Sequence, residues 1–284
     1  MDDDLAGAND ALHVAEGRVM LRAYVIVFLL FLYAPILLLP VFAFNSGTVI
    51  AFPLDGFTLH WFAELAVTKA LHEAVVNSLI IAAVTAVIST ALGVAAARAG
   101  VRYRFPGKAA ALGLIMVPLV LPEIIVAVSL LVVVVQIMGW DLSMGTIIAA
   151  HVLICTPFAT AILNASFQNL DPSLEEAAVD LGESRSSTFR LITLPLIMPG
   201  IIAALLISFT ISLDEFIIAF FLSGSEPTLP VYIWSLLRFP RLIPVVMALG
   251  TILVVLSVLL LTLAEISRRR GLRRAGVKDK GGFL

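Results

Sequence analysis

Six runs of apolar residues, each long enough to cross a bilayer as a helix, divide this chain of 284 residues. They fall at about 21–44, 75–97, 110–136, 144–167, 197–222 and 243–265. A helix needs about 20 such residues to span the hydrocarbon core. Inside that core every backbone N–H and C=O must be bonded within the segment. The expected fold is therefore all-α: a polytopic membrane protein with six transmembrane helices. Composition agrees, with 61% hydrophobic and 13% charged residues, where soluble domains run near half and a quarter. No stretch is left for a soluble domain, and a net charge of −2 supplies no basic face for nucleic acid.

The first run, Leu21 to Phe44, is too long for a signal-peptide core and lacks a small-x-small cleavage site after it, so it reads as a span. Lys and Arg set the orientation. With the N-terminus in the cytoplasm, fifteen basic residues lie inside: Arg18 and Arg22, Arg98, Arg102, Arg104 and Lys108, Arg185 and Arg190, and seven in 267–284. Only Lys69, Arg238 and Arg241 lie outside. That bias places both termini and the 98–109 and 168–196 loops in the cytoplasm. The expected organisation is a cytoplasmic tail over 1–20, a six-helix membrane domain over 21–266 and a basic cytoplasmic tail over 267–284. Residues 1–17, with five acids and no Lys or Arg, read as disordered.

Two outer segments are long. Residues 45–74 carry Phe52, Phe57, Trp61 and Phe62, an aromatic interface anchor. Residues 223–242 are too apolar for a free loop and are expected to pack at the bundle mouth or the interface. Cys155, the one cysteine, excludes a disulfide within the chain and reads as a small buried hydrophobe.

The 168–196 loop is the longest polar stretch between spans, yet it is patterned as helix-turn-helix. Asp171-Pro172 marks a helix start, with Ser173-x-x-Glu176 as a competing capping box. Leu174, Ala177, Ala178 and Leu181 form one apolar stripe. Gly182 then sits where a left-handed stop is expected. Ser184 or Ser186 starts a second short helix, which Pro195 is expected to end. A helix of about ten residues is marginal alone in water, so the stripe needs a partner surface.

Glu176-Ala177-Ala178, Gly182 and Ile192-x-Leu194-Pro195 resemble, at matching spacing, the "EAA" loop of binding-protein-dependent ABC importer permeases. The resemblance implies that 168–196 is a coupling loop. Leu174, Glu176, Ala177, Ala178, Leu181, Gly182 and Pro195 would then dock the helix between the fourth and fifth spans in a cleft of an ATP-hydrolysing subunit. It also implies a homologous permease subunit, two copies of the ABC ATPase and a periplasmic solute-binding protein, with ATP and Mg bound by the ATPase and no cofactor in this chain. Tyr33-Ala34-Pro35, Phe44-Asn45-Ser46, Asn77-Ser78-Leu79, Leu119 to Ile125, Ser212 to Phe216 and Thr228 to Ile233 are similar to the second permease subunit of spermidine/putrescine transporters. Two departures stand out. Glu215 replaces the second of two adjacent aspartates. Pro244-Val245-Val246-Met247-Ala248-Leu249 lacks the polar residues common at the start of the last span.

Glu123, Asp214 and Glu215 fall inside predicted spans. Facing lipid, each would cost about 2.5–3.5 kcal/mol, so they are expected to face a cavity, water or a partner. No Lys or Arg lies at that depth to neutralise them, which suits a cationic solute such as a polyamine. Pro118 and Pro122 remove two helix hydrogen bonds beside Glu123 and free carbonyls for a cavity wall. His151 reads as a satisfied core histidine. Tyr232, Trp234 and Arg238 are weaker candidates for contact with a binding protein.

The chain has no Gly-x-x-x-x-Gly-Lys-Ser/Thr loop, no His-Glu-x-x-His and no Gly-x-Ser-x-Gly. It is read as a transport subunit without an ATPase site of its own. The leading expectation is uptake of a spermidine- or putrescine-like polyamine. The alternatives are the same machine carrying another small amine or an amino-acid-like solute, and an ion-coupled secondary transporter. For an intramembrane enzyme, the sequence identifies no nucleophile partner for His151.

Overall fold

The computed structural model describes residues 2–274, with side chains described for 20–259, 262 and 266. The basic tail expected over 267–284 thus lies outside the described side chains. The described backbone is almost entirely helical, with one isolated antiparallel bridge, Asn45 to Phe57. Among the described residues, five helices are long and apolar enough to cross a membrane, and a bent pair, taken as one span, makes a sixth. The chain forms two compact units, Met1–Thr68 with Leu236–Leu284, and Lys69–Ser235.

In the first unit, α1 (Asp2–Ala43) packs along α12 (Ile243–Arg274), and the short α2 (His60–Val67) rests on α12. The helical backbone of α1 begins at Asp2. Beyond α1 the chain turns on Asn45. Its side-chain carbonyl accepts the Asp55 N–H at 2.9 Å, and its backbone carbonyl accepts the Trp61 indole N–H at 2.8 Å. Trp61 is buried, so this expected interface anchor is a structural hub; Phe57 and Phe52 remain largely exposed.

The second unit has a core of three crossing helices: α3 (Lys69–Arg102), α6 (Met144–Gln168) and α9 (Leu194–Asp214). Small residues let them approach closely. A Cβ added at Gly93 would lie 2.9 Å from the Ala159 Cβ and 3.0 Å from its carbonyl carbon. Ala97, Leu163, Phe167, Ile197 and Ala204 close one end of the core, and Ile81, Ile147, Cys155, Ile218 and Leu222 the other.

Two expected spans are interrupted. The 110–136 segment is not one straight helix: α4 (Lys108–Met116), extended by a tight turn at Val117–Leu119, meets α5 (Glu123–Val132) at a 103° bend. Pro118 and Pro122 flank the bend, and their missing N–H groups explain the break. The 197–222 segment breaks at Glu215 and Phe216, after which α10 (Ile217–Leu222) packs on α5 and α6. Finally α11 (Leu229–Leu237) is fastened to α3: the Leu229 N–H donates to Ser78 Oγ at 2.8 Å, and Asn77 donates to the Pro227 carbonyl at 3.3 Å. The start of the apolar 223–242 segment is thus tied to α3, while Trp234, Leu237 and Phe239 stay about half exposed.

Candidate functional site: a structured loop and two broken helices

The loop folds as its residues dictate. Asp171 accepts the Ser173 N–H at 2.9 Å and starts α7 (Pro172–Asp180), so this cap is used and the competing Ser173 box is not. That hydrogen bond, more than the nearby Arg102 charge, holds the Asp171 carboxyl below its ordinary range. At the far end Gly182 has φ +93°, and the Gly182 and Glu183 N–H groups bond to the Val179 and Ala178 carbonyls at 2.9 and 3.0 Å. This paired arrangement closes the helix and requires a left-handed residue at 182.

Ser184, not Ser186, caps the four-residue α8 (Arg185–Thr188) by accepting the Ser187 N–H. Pro195 does not end this helix. A π-turn over Phe189–Thr193 leads straight into α9, so Arg185–Asp214 forms one continuous 30-residue rod. The Leu194 N–H reaches back five residues to the Phe189 carbonyl. The widened turn relieves the clash between the Pro195 ring and the preceding turn.

Of the apolar stripe, only Ala178 is buried; Leu174 is 45% exposed and Leu181 87% exposed. Ala177 and Glu176 are exposed as well. The face therefore finds no cover within its own unit.

A residue absent from the sequence expectations anchors α7. Glu175 Oε2 accepts from Arg102 Nε at 2.6 Å, and Glu175 Oε1 accepts from Thr193 Oγ1 at 2.5 Å. Arg102 also donates to the Leu170 carbonyl at 3.1 Å. The Arg102 and Glu175 side chains are only 14% and 17% exposed, so the pair is partly shielded from water. One carboxylate thus ties α7 to the end of α3 and to the base of the α9 rod. The available signal was its helical position three residues before the buried Ala178, which turns Glu175 inward.

The intramembrane acids sit at the two helix breaks. Glu123 is the first residue of α5 and is exposed within its unit. Asp214 ends α9 and is exposed, whereas Glu215 is buried at 8% exposure. Glu215 Oε1 accepts the Ile218 N–H at 3.0 Å and so caps α10. Both glutamates thereby meet the positive end of a helix dipole, which offsets part of their desolvation. Glu215 lies within electrostatic reach of Glu123 and Asp214, so the fold gathers all three acids. Among the described residues, no three His, Cys, Asp or Glu side chains are arranged to hold a metal ion.

His151 is fully buried in α6. Its Nδ1 lies 2.8 Å from Ser212 Oγ, while Nε2 has no hydrogen-bond partner. The histidine expected to be satisfied is therefore only half satisfied. Trp234 on α11 packs its ring 5.5 Å from Phe216 at the α9–α10 break. Tyr232 is half-buried and Arg238 exposed.

Comparison with known proteins fits this geometry. The chain is 39% identical to the putrescine transport system permease protein PotI of Escherichia coli (strain K12), over 86% of this chain and 92% of that one. It is 36% identical to the spermidine/putrescine transport system permease protein PotC of Haemophilus influenzae, over 89% and 98% of the two chains. In fold it matches a chain of a bacterial ABC transporter that imports the acidic polysaccharide alginate, with TM-score 0.69 and 22% identity, over 89% of this chain and 94% of that one. An amino acid ABC transporter chain matches with TM-score 0.51 and 19% identity, over 74% and 100%. Residues 89–273, which hold the loop and both helix breaks, match the family described as binding-protein-dependent transport system inner membrane component. The chain belongs to that family of multi-pass inner membrane permeases.

Proposed function

We propose that this chain is one of two related permeases in an ATP-driven importer that takes up a polyamine of the putrescine or spermidine class. The observation that carries the reading is the identity to polyamine permeases along nearly the whole chain. The three acids gathered at the helix breaks support it. A diamine or triamine carries separated positive charges, and unneutralised carboxylates at membrane depth attract such a solute while repelling anions. Glu123 and Asp214, whose carboxylates are exposed, line the pathway. Glu215 acts there through the local field while its hydrogen bond holds α10.

The drive comes from a partner ATPase dimer that binds ATP and Mg; this chain contributes the surface it pushes on. Leu174, Ala177 and Leu181 enter the ATPase cleft, while the exposed Glu176 lies on the other face of α7. ATP-driven closure moves α7. The Glu175 carboxylate passes that motion to α3 through Arg102 and to the α9 rod through Thr193. Because α9 ends at Asp214, displacement of its base shifts the acids at the other end. The cavity turns outward and receives solute from a periplasmic binding protein, and hydrolysis returns it. Tyr232, Trp234 and Arg238 face that protein, and both chain termini lie in the cytoplasm.

The test uses the complex of both permeases with the ATPase, reconstituted with its binding protein. Putrescine- or spermidine-loaded binding protein should stimulate ATP hydrolysis several-fold over unloaded protein. Stimulation by an amino-acid load, with none by either polyamine, would overturn the substrate and leave the importer class standing.

A further inference from the structure

A cavity of about 840 Å³ opens behind α7, on the side opposite its exposed apolar stripe. Arg98, Arg102, Arg104, Lys108 and Arg185 line it. Arg102 is neutralised by Glu175. Four cations remain against Glu176 and Asp180, so the cavity carries a net positive charge. Arg98 is held in the wall with its guanidinium 4.3 Å from the Phe189 ring centre, and its Nε is buried without a hydrogen-bond partner.

Depth in the membrane narrows the choice of anion. Arg98 directly follows the apolar run 75–97 of α3, and Lys108 directly precedes the apolar run of α4. Both therefore sit where hydrocarbon gives way to headgroups. The connecting turn presents Tyr103 and Phe105, 43% and 41% exposed, beside these charges. Aromatic rings next to basic side chains suit the interfacial layer. Lys108 also stands at the N-terminus of α4, whose first turn holds no acid and whose cap, Gly107, offers no side chain. A cation beside the positive end of a helix dipole is unfavourable unless an anion lies close to both.

We propose that this cavity binds the phosphate of an anionic phospholipid headgroup. Basic pockets between membrane helices take such headgroups, and here the pocket also touches the loop that moves during transport. A bound lipid would brace the α3–α4 turn against α7 and make coupling sensitive to bilayer charge. The inference stands on the family assignment and the cavity, and is independent of which solute is carried.

The experiment isolates the assembled complex from bilayers of phosphatidylcholine mixed with phosphatidylglycerol and reads retained lipid by native mass spectrometry. Wild-type complex should retain phosphatidylglycerol selectively. The Arg104→Gln/Lys108→Gln variant should retain it about 30-fold less, roughly fivefold for each basic residue removed. The Arg104→Lys/Lys108→Arg variant should restore retention, which a folding defect would not allow. Inorganic phosphate is added as a second arm. If phosphate binds the complex while phosphatidylglycerol is not selectively retained, the site serves a soluble anion and the lipid assignment fails. Unchanged lipid retention in the double Gln variant overturns the proposal, most clearly if that variant has lost its ATPase, because the cavity is then a subunit interface.

Discussion

Glu175 shows how much a single carboxylate can hold together. Removing its charge leaves Arg102 with only the Leu170 carbonyl and leaves Thr193 without its acceptor. Losing a hydrogen bond to a charged group costs about 1.5–3 kcal/mol. Glu175→Ala should therefore assemble with the ATPase, through an intact stripe, yet transport poorly for each ATP hydrolysed. Uptake and hydrolysis measured on the same proteoliposomes give that ratio, and an unchanged ratio would remove Glu175 from the transmission path. Gly182→Val acts one step earlier. A β-branched residue tolerates φ +93° badly, so the α7 terminus should distort and both ATPase co-purification and uptake should fall. The Asp171 cap adds a pH signature. Its carboxyl is held below the ordinary range by the Ser173 hydrogen bond. The cap therefore stabilises above the unfolded-state value and is lost as pH falls through the folded one. Hydrogen-exchange protection at the start of α7, taken relative to the intrinsic rate at each pH, should fall in acid, and Asp171→Asn, which caps without titrating, should abolish that dependence. The residues with local chemistry, Asp171, Gly182 and Ser184, were legible in the sequence. Glu175 was not, because its partners lie 73 and 18 positions away and no local pattern announces them.

Helices form where the apolar runs predict, but apolar runs do not report where a helix breaks. The 110–136 and 197–222 segments pass every test of length and hydropathy, yet each is interrupted. Pro118 and Pro122 announce the first break, though not its 103° angle, beyond which α5 packs against α10. The second break has no proline and is marked only by adjacent acids, one of which turns inward to cap the next helix. Asp214 and Glu215 should therefore fail differently. Asp214→Asn should lower uptake in a complex of normal yield and thermal stability. Glu215→Ala leaves the buried Ile218 N–H unsatisfied, at about 1–3 kcal/mol, and should lower thermal stability whatever its effect on uptake. If the two variants behaved alike in both assays, cap and pathway would not be separate roles. The α3–α6 crossing is a second contrast of this kind. Gly93→Val must push against Ala159 backbone, an overpacking cost of about 1–3 kcal/mol. Gly113→Ala meets nothing within 4 Å and should be silent. Melting curves of the two purified complexes decide it.

The continuous rod from Arg185 to Asp214 joins these observations into one device. Thirty helical residues span about 45 Å at the usual rise per residue, enough to run from the loop to the acids. A stiff rod converts a push at its base into displacement at its tip, with no relay of small side-chain steps between them. The π-turn at Phe189–Thr193 ends on Thr193, where Glu175 grips the rod, and Pro195 and Pro199 follow within the first turns of α9. On the proposed function the machine would draw its energy from the loop end, while an ion-coupled carrier would draw it from a gradient across the membrane and would have no use for a gripped loop. Uptake into intact cells should accordingly survive collapse of the membrane potential while ATP is maintained, and stop when ATP is depleted with the potential clamped. The opposite pattern would mean that the acids bind the driving ion, and the structured loop would then need another purpose. Breaking the rod at its base, by replacing Thr193 and Leu194 with glycines, should leave hydrolysis running while uptake stops. Glycine costs about 1 kcal/mol per helical position, so the rod would yield at that point before its tip could move.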